Sequence, residues 1–357
     1  MQTKNRKIVG FLFFKPHHMD NQKTILVTGG AGFIGSHTVK LLQEQGLDVL
    51  VLDNLSTGHA SSVSARLIVG DLADKALLKK IFNEYTIDAV IHFAASLIVE
   101  ESVLFPGKYF ENNVTNGLNL LQAMAAANVE KIIFSYTAAI YGEPHYEQID
   151  EGHPRLPINP YGESKLIFEK ILKWFSQAHG LSSVSLRYFN AGGASADASL
   201  GEDKAVVTHL IPQVLRVAAR QQEVLKVFGN DYPTHDGTCI RDYVHVLDLV
   251  QAHLLALNKL NEDTGAFAYN VGTGTGHSVN EVVTTAMEIT GKMIPIEYSP
   301  RRAGDPAALV ADVTKIKSEL GFEPKYSDLS TIVRTAWAWH QKLIERERNK
   351  HQEVGLI

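Results

Sequence analysis

Tyr161 and Lys165 stand four residues apart, so on a helix they share one face. A free phenol ionises near pH ~10, too high for a base at neutral pH. A neighbouring ammonium favours the phenolate and so makes a general base of a tyrosine. Asn159-Pro160, directly before the pair, reads as the start of the helix that carries it. Thr137 closes the apolar run Ile132-Ile133-Phe134-Ser135-Tyr136, and its hydroxyl either bonds a substrate or caps the next loop. Arg241, Arg301 and Arg302 are forked cations, and two separated arginines can clamp a diphosphate. Of these, Arg301 reads as solvated surface.

The elements that must position these groups begin at Lys23. Ile25-Leu26-Val27 is a short apolar run, expected to be a strand buried on both faces. Gly29, Gly32 and Gly35 follow at intervals of three, and a helical pattern runs on from Ser36. In such a strand, turn and helix, Gly29 permits the turn, Gly32 lets backbone N–H groups approach a pyrophosphate, and Gly35 lets the helix pack closely. The helix N-terminus offers unpaired N–H groups to an anion. A second run, Val49 to Leu52, ends in Asp53-Asn54, where an acid bonds the ribose 2′-hydroxyl of NAD and repels a 2′-phosphate. Asp71-Leu72 follow the next strand, Arg66 to Val69. Asp71 either accepts from an adenine amino group or is a solvated turn residue. The strand Asp88 to Phe93 runs into Ala94-Ala95, small residues that let backbone lie against a cofactor.

Strands and helices alternate from Thr24 to about Asn190, which implies a doubly wound α/β parallel sheet with helices on both faces. Pro106 opens a long helix whose stripe Tyr109, Val114, Leu118, Leu121 and Met124 is either sheet-facing core or a dimer seam. Glu143 to Pro160 reads as surface loop. Ala191 to Lys204 reads as a flexible loop able to close over a ligand. Helices are expected near 208–220, 246–257 and 328–347, with a short strand at 225–228. The 357 residues exceed one ordinary domain, and 45% hydrophobic with 20% charged residues is ordinary for a soluble protein. A formal net charge of -5 without a basic block argues against nucleic acid or membrane as partner. The single Cys239 excludes an intrachain disulfide and fits a reducing, cytoplasmic compartment. Fifteen scattered histidines show no metal-ligand spacing, so no metal is expected. Lys4, Arg6 and Lys7 before Ile8 to Phe14 only partly match a signal peptide, and Met19 is a candidate alternative start. Residues 1–18 are expected to be poorly ordered and dispensable.

The segments Thr28 to Gly35, Asp53-Asn54, His92-Phe93-Ala94-Ala95, Tyr161-x-x-x-Lys165 and Leu186 to Asn190 resemble the extended short-chain dehydrogenase/reductase superfamily. Phe228 to Thr234, Asp236-Gly237-Thr238 and Arg241-Asp242-Tyr243 narrow the resemblance to its UDP-glucose 4-epimerase family, over about residues 23–345. The resemblance implies resident NAD and a UDP-hexose substrate. It implies a Rossmann NAD-binding domain at 23–190, joined by a later segment at about 235–260. A smaller α/β C-terminal substrate lobe would span 191–234 and 261–345, between an N-terminal extension (1–22) and a charged tail (346–357). It further implies a homodimer through helices at about 106–127 and 161–178. By position, Tyr161 would be the base on the sugar 4-hydroxyl, Lys165 would hold the nicotinamide ribose, and Thr137 would sit beside that hydroxyl. Gly29, Gly32, Phe33, Ile34, Gly35, Asp53, Asn54, Asp71, Leu72, Phe93, Ala94, Ala95, Asn112 and Phe189 would line NAD. Asn190, His209, Leu210, Arg241, Arg302 and Asp305 would hold the UDP-sugar, with Phe228 near the uracil. Three positions depart from the pattern. Tyr136 replaces the usual serine and would crowd Thr137, Leu97 replaces a basic or polar residue near the cofactor, and Leu309 is intermediate where size decides between plain and N-acetyl hexoses. UDP-N-acetylglucosamine or UDP-pentose epimerisation, and a non-catalytic NAD-sensing role, are the competing readings. Ala138-Ala139 after Thr137 argue against a 4,6-dehydratase, which carries Asp-Glu there.

Overall fold

The computed structural model describes residues 23–146, 148–302 and 305–354. Seven strands build its main sheet: β1 (Thr24–Thr28), β2 (Asp48–Asp53), β3 (Arg66–Val69), β4 (Ile87–His92), β5 (Lys131–Thr137), β6 (Ser182–Tyr188) and β7 (Ala266–Val271). Their order is β7-β6-β5-β4-β1-β2-β3, and every pairing is parallel. The chain starts in the middle, winds out to β3, and returns past β1 to β4. Ligands bind such sheets at that reversal, beyond the carboxyl ends of the strands.

Alternation along the strands feeds two cores. Ile25, Val27, Val49 and Val51 face the helices Phe33–Glu44 and Val246–Glu262, which supply Val39, Leu42, Leu249 and Ala252. Leu26, Leu50 and Leu52 face the other side, against the helices Lys75–Glu84, Asn116–Ala126 and Pro160–His179, with Leu78, Leu120 and Leu166. These helices cover both faces, as the alternation of elements predicts.

The single long helix expected after Pro106 is broken. Pro106–Phe110 passes through a π-helical turn, Glu111–Thr115, into Asn116–Ala126. The turn buries Asn113, whose Oδ1 accepts from Ser96 N at 2.8 Å and whose Nδ2 donates to Ser96 O and Ser164 Oγ, each at 3.0 Å. Tyr109, Leu121 and Met124 of the expected stripe are core.

A second sheet is centred on the strand Ile240–His245. It pairs antiparallel with Gly276–Ser278 and parallel with Ala308–Ala311 and Asn190–Gly192. Gln148–Ile149 lines its edge, inside the stretch expected to be loop. The pair Leu225–Phe228 and Ile296–Ser299 stands beside it. Helices Leu210–Ala218, Val279–Thr290 and Leu329–Val354 supply Val214, Val282 and Ile332 to its core. The last helix therefore runs past the end expected near 347. β7 lies within the stretch assigned to the second lobe, yet it pairs with β6 in the main sheet. The expectations for residues 1–22 lie outside the described residues.

The stretch 191–204 is tied down, where a flexible loop was expected. Ser195 exchanges hydrogen bonds with Leu200, Lys40 pairs with Asp197 at 3.0 Å, and Trp339 Nε1 donates to Glu202 O at 2.9 Å. Serine and glycine there serve turns and close packing: a Cβ on Gly201 would meet the Trp339 ring at 2.3 Å. No helix among the described residues is long and apolar enough to cross a membrane.

Candidate active site

Asn159 caps the helix Pro160–His179 by accepting from Gly162 N at 2.8 Å, with proline in the first turn. A Cβ on Gly162 would come within 2.7 Å of Ala139 O. Glycine therefore lets the helix settle onto the 3₁₀ turn Ala138–Tyr141 that follows Thr137. Tyr161 and Thr137 meet as a result. Burial raises the Tyr161 pKa, and hydrogen bonding with the Thr137 hydroxyl works against that rise. Thr137 Oγ1 also accepts from Ala139 N at 3.1 Å.

Lys165 corrects one expectation. Its ammonium was expected to lower the Tyr161 pKa. Instead Nζ donates to Ser135 O at 3.0 Å and lies 4.7 Å from the Phe134 ring centre. Burial pulls its own pKa down to about 7. Both partners are thus driven toward their neutral forms, because desolvation opposes any charge. Tyr136 corrects another. It does not crowd Thr137; it points to the other side of β5, buried against Phe134 with ring centres 5.3 Å apart.

The glycine turn sits at the sheet reversal. Gly29 has φ +74°, and its Cβ would lie 2.5 Å from Ala94 N. Phe93 N and Ala94 N both donate to Thr28 O, at 2.8 and 3.1 Å. A Cβ on Gly35 would strike Gly29 O at 2.3 Å, whereas one on Gly32 would meet only Gly29 O at 3.4 Å. Gly32 is thus open on the side where the helix Phe33–Glu44 begins without a side-chain cap, its first N–H groups free for an anion. Asp53 accepts from Ala31 N at 2.9 Å and from Leu55 N at 2.8 Å, so it braces this turn from the end of β2. Asn54 Nδ2 donates to Asp71 Oδ2 at 2.7 Å, linking the ends of β2 and β3. Leu72 is buried, and its carbonyl accepts from Asn119 at 3.2 Å. Ala94, Ala95 and Asn112 are half-buried. Phe93 packs on His253 at 4.8 Å between ring centres, and Phe189 touches both cores. The open glycine, the uncapped helix and the acid at β2 together fit a dinucleotide.

On the second sheet, buried Arg241 pairs with Asp305 and donates to Ile240 O at 2.7 Å. Leu309 is its register neighbour. Arg302 is exposed; it lies 3.9 Å over the Phe228 ring and 3.4 Å from Glu100 of the helix Val99–Leu104. Arg301 is indeed at the surface, paired with Asp231 at 2.7 Å. Asn190 starts its strand exposed. His209 precedes the helix that opens at Leu210 and contacts the Glu202 carboxylate at 2.9 Å. Burial would raise Glu202, but His209 and Lys204 outweigh it and hold the carboxyl at about 2. Among the described residues no hydrogen bond or ion pair joins Asn190 or His209 to Arg241, Asp305 or Arg302.

Sequence reasoning missed Asn113, Gly58 and Gly162. Gly58 packs on Ala31, where a Cβ would come within 2.6 Å. Asn113 has a signal only in its adjacency to Asn112.

The profile described as "Epimerase: NAD dependent epimerase/dehydratase family" matches residues 25–272. A "UDP-glucose 4-epimerase" of Halalkalibacterium halodurans is 52% identical over 319 residues, spanning 89% of this chain and 96% of that protein. The structure of UDP-glucose 4-epimerase from Brucella ovis in complex with NAD aligns with a TM-score of 0.87 at 50% identity, covering 88% of this chain and 98% of that one. The Bifidobacterium longum UDP-glucose 4-epimerase in complex with NAD+ and UDP aligns at 0.86 with 40% identity, covering 90% and 98%.

Proposed function

The chain belongs to the NAD dependent epimerase/dehydratase family, and from that we infer that it works as a UDP-glucose 4-epimerase, an isomerase that interconverts UDP-galactose and UDP-glucose by transient oxidation at C4. NAD is the cofactor, and when bound it supplies the oxidant and then the reductant at C4 together with a positively charged ring. The glycine turn, Phe33, Ile34 and the Asp53–Asn54–Asp71 group would hold it. Tyr161, once ionised to the phenolate that a positively charged ring nearby would favour, would take the proton of the sugar 4-hydroxyl and later return it, while Thr137 steadies both oxygens. Lys165 would hold the nicotinamide ribose. Arg241, Asp305, Arg302, Phe228, His209 and Leu210 would grip the UDP, and Asn190 would meet the sugar. Affinity held in the UDP leaves the 4-keto sugar free to turn over within the cleft.

The observation that supports the catalytic assignment is the placement of Tyr161 at the carboxyl end of β5, close enough to Thr137 for that hydroxyl to lower the phenol pKa against the effect of burial. Tyr161→Phe removes the proton acceptor alone. Its UDP-galactose turnover is expected to fall by roughly two or more orders of magnitude, with NAD and UDP binding intact by calorimetry. Near-parental turnover would refute the assignment. A homodimer through helices near 106–127 and 161–178 is part of the same proposal. Leu104, 73% exposed, and Trp174, 68% exposed, support it as apolar surface on and beside those helices. Sedimentation as a monomer would exclude it. Cytoplasmic location is proposed on the single cysteine.

A further inference from the structure

Three neighbouring strands carry one row of buried polar side chains. Tyr136 of β5 lies opposite Arg187 of β6, and Arg187 opposite Asn270 of β7. Glu169 reaches this row from the helix Pro160–His179, four residues beyond Lys165 and eight beyond Tyr161, on the same broad face. Its Oε1 accepts from Arg187 Nη2 at 2.7 Å and from Arg155 Nη1 at 2.8 Å. Arg187 Nη1 donates to the Tyr141 hydroxyl at 2.8 Å, which donates to Asn270 Oδ1 at 2.6 Å. Three atoms at this junction, the Tyr136 hydroxyl, Arg187 Nε and Glu169 Oε2, are fully buried without a partner, and Arg187 already bonds the other carboxylate oxygen through Nη2. A buried donor and a buried acceptor left unpaired side by side are each costly, and pairing them removes both penalties. The Arg187 guanidinium, 5.7 Å from the Tyr136 ring centre, keeps the two side chains together.

We propose that the Tyr136 hydroxyl donates to Glu169 Oε2, which makes Tyr136 a positioning residue for the catalytic helix. The Tyr136–Glu169–Arg187 clamp ties that helix to β5 and β6 at one level. Thr137 is the next residue on β5, so the clamp sets the separation of Tyr161 from Thr137. The bulky tyrosine at this position then has a reason: a shorter hydroxyl would not span from the strand to the helix. Burial and the Glu169 charge both raise the Tyr136 pKa, in keeping with a hydroxyl that stays protonated and donates.

The kinetic half of this inference rests on the epimerase reading, and a double-mutant cycle separates the two. Tyr136→Phe keeps the ring and removes the hydroxyl. Its kcat for UDP-galactose is expected to fall about tenfold, within the range that a small misplacement of catalytic groups causes. KM should stay near parental, and the base limb of the kcat–pH profile should move, because the Tyr161–Thr137 contact has changed. Glu169→Gln alone should act in the same direction. The double variant should lose clearly less than the product of the two single losses. Multiplicative losses, or a Tyr136→Phe protein with parental kcat and pH profile, would overturn the clamp. If the parent protein showed no epimerase activity, the proposed function would fall instead, and the same cycle read in Tm would still show coupling or independence of the two side chains.

Discussion

Lys165 lies almost wholly inside the protein, beside a phenol that burial also pushes toward neutrality. Its folded-state pKa of about 7 is below the ordinary lysine value, so between those limits the unfolded chain binds the extra proton. Stability must then rise with pH across that window, and below about 7 the folded protein carries the full cost of burying the charge. Lys165→Met keeps the length and removes the titration. In cofactor-free protein the variant is expected to be more stable than the parent near pH ~6, with the gap closing toward pH ~10. Urea unfolding at several pH values measures this, and a gap that stays constant with pH rules it out. The Tyr161–Lys165 spacing was legible in the sequence because helix periodicity is local. The direction of the pKa effect was not, because it depends on burial beneath β5, and spacing carries no information about depth.

The helix Pro160–His179, which carries the proposed base, touches the turn behind Thr137 because Gly162 lets it. Alanine there would improve intrinsic helix propensity by about 1 kcal/mol. It would also force a methyl to within 2.7 Å of Ala139 O, a backbone atom that cannot swing aside. The contact should win: Gly162→Ala is expected to cost about 1–3 kcal/mol of stability, as overpacking does. It should also lower kcat more than it changes KM, because the helix backs away from Thr137. Thermal unfolding with steady-state kinetics tests both, and a more stable variant of full activity would show that the helix does not rest there. Elements built on strong local periodicity were legible: β1, β2, the helix Phe33–Glu44 and the glycine turn all lie where pattern puts them. The π-helical turn at Glu111–Thr115 was not. Nothing in its composition breaks a helix, and its reason is tertiary, the hydrogen bonds of Asn113 to Ser96 and Ser164.

At the scale of the whole molecule, the two sheets carry different parts of the candidate site. The main sheet presents the glycine turn, Thr137 and Tyr161; the second presents Arg241 with Asp305 and the loop carrying Arg302. That β7 returns to the main sheet was hidden in the sequence, since parallel pairing depends on partners more than eighty residues away along the chain, as Ala266 is from Ser183. Arg302 joins the two regions, stacked on Phe228 of one and within 3.4 Å of Glu100 from the other. The Glu100 contact is exposed and worth at most about 1 kcal/mol, so it yields readily to a stronger anion. Charge-assisted hydrogen bonds to a diphosphate are worth about 1.5–3 kcal/mol. Arg302→Ala is therefore expected to raise KM for UDP-galactose by about ten- to a hundredfold and to weaken UDP inhibition equally. The fall in kcat should be much smaller, because this contact exists before and after C4 reacts. Tyr161→Phe should show the opposite split, kcat lost and KM kept. An Arg302→Ala enzyme with parental KM would remove Arg302 from the proposed binding site and leave Arg241 as the arginine proposed for the diphosphate.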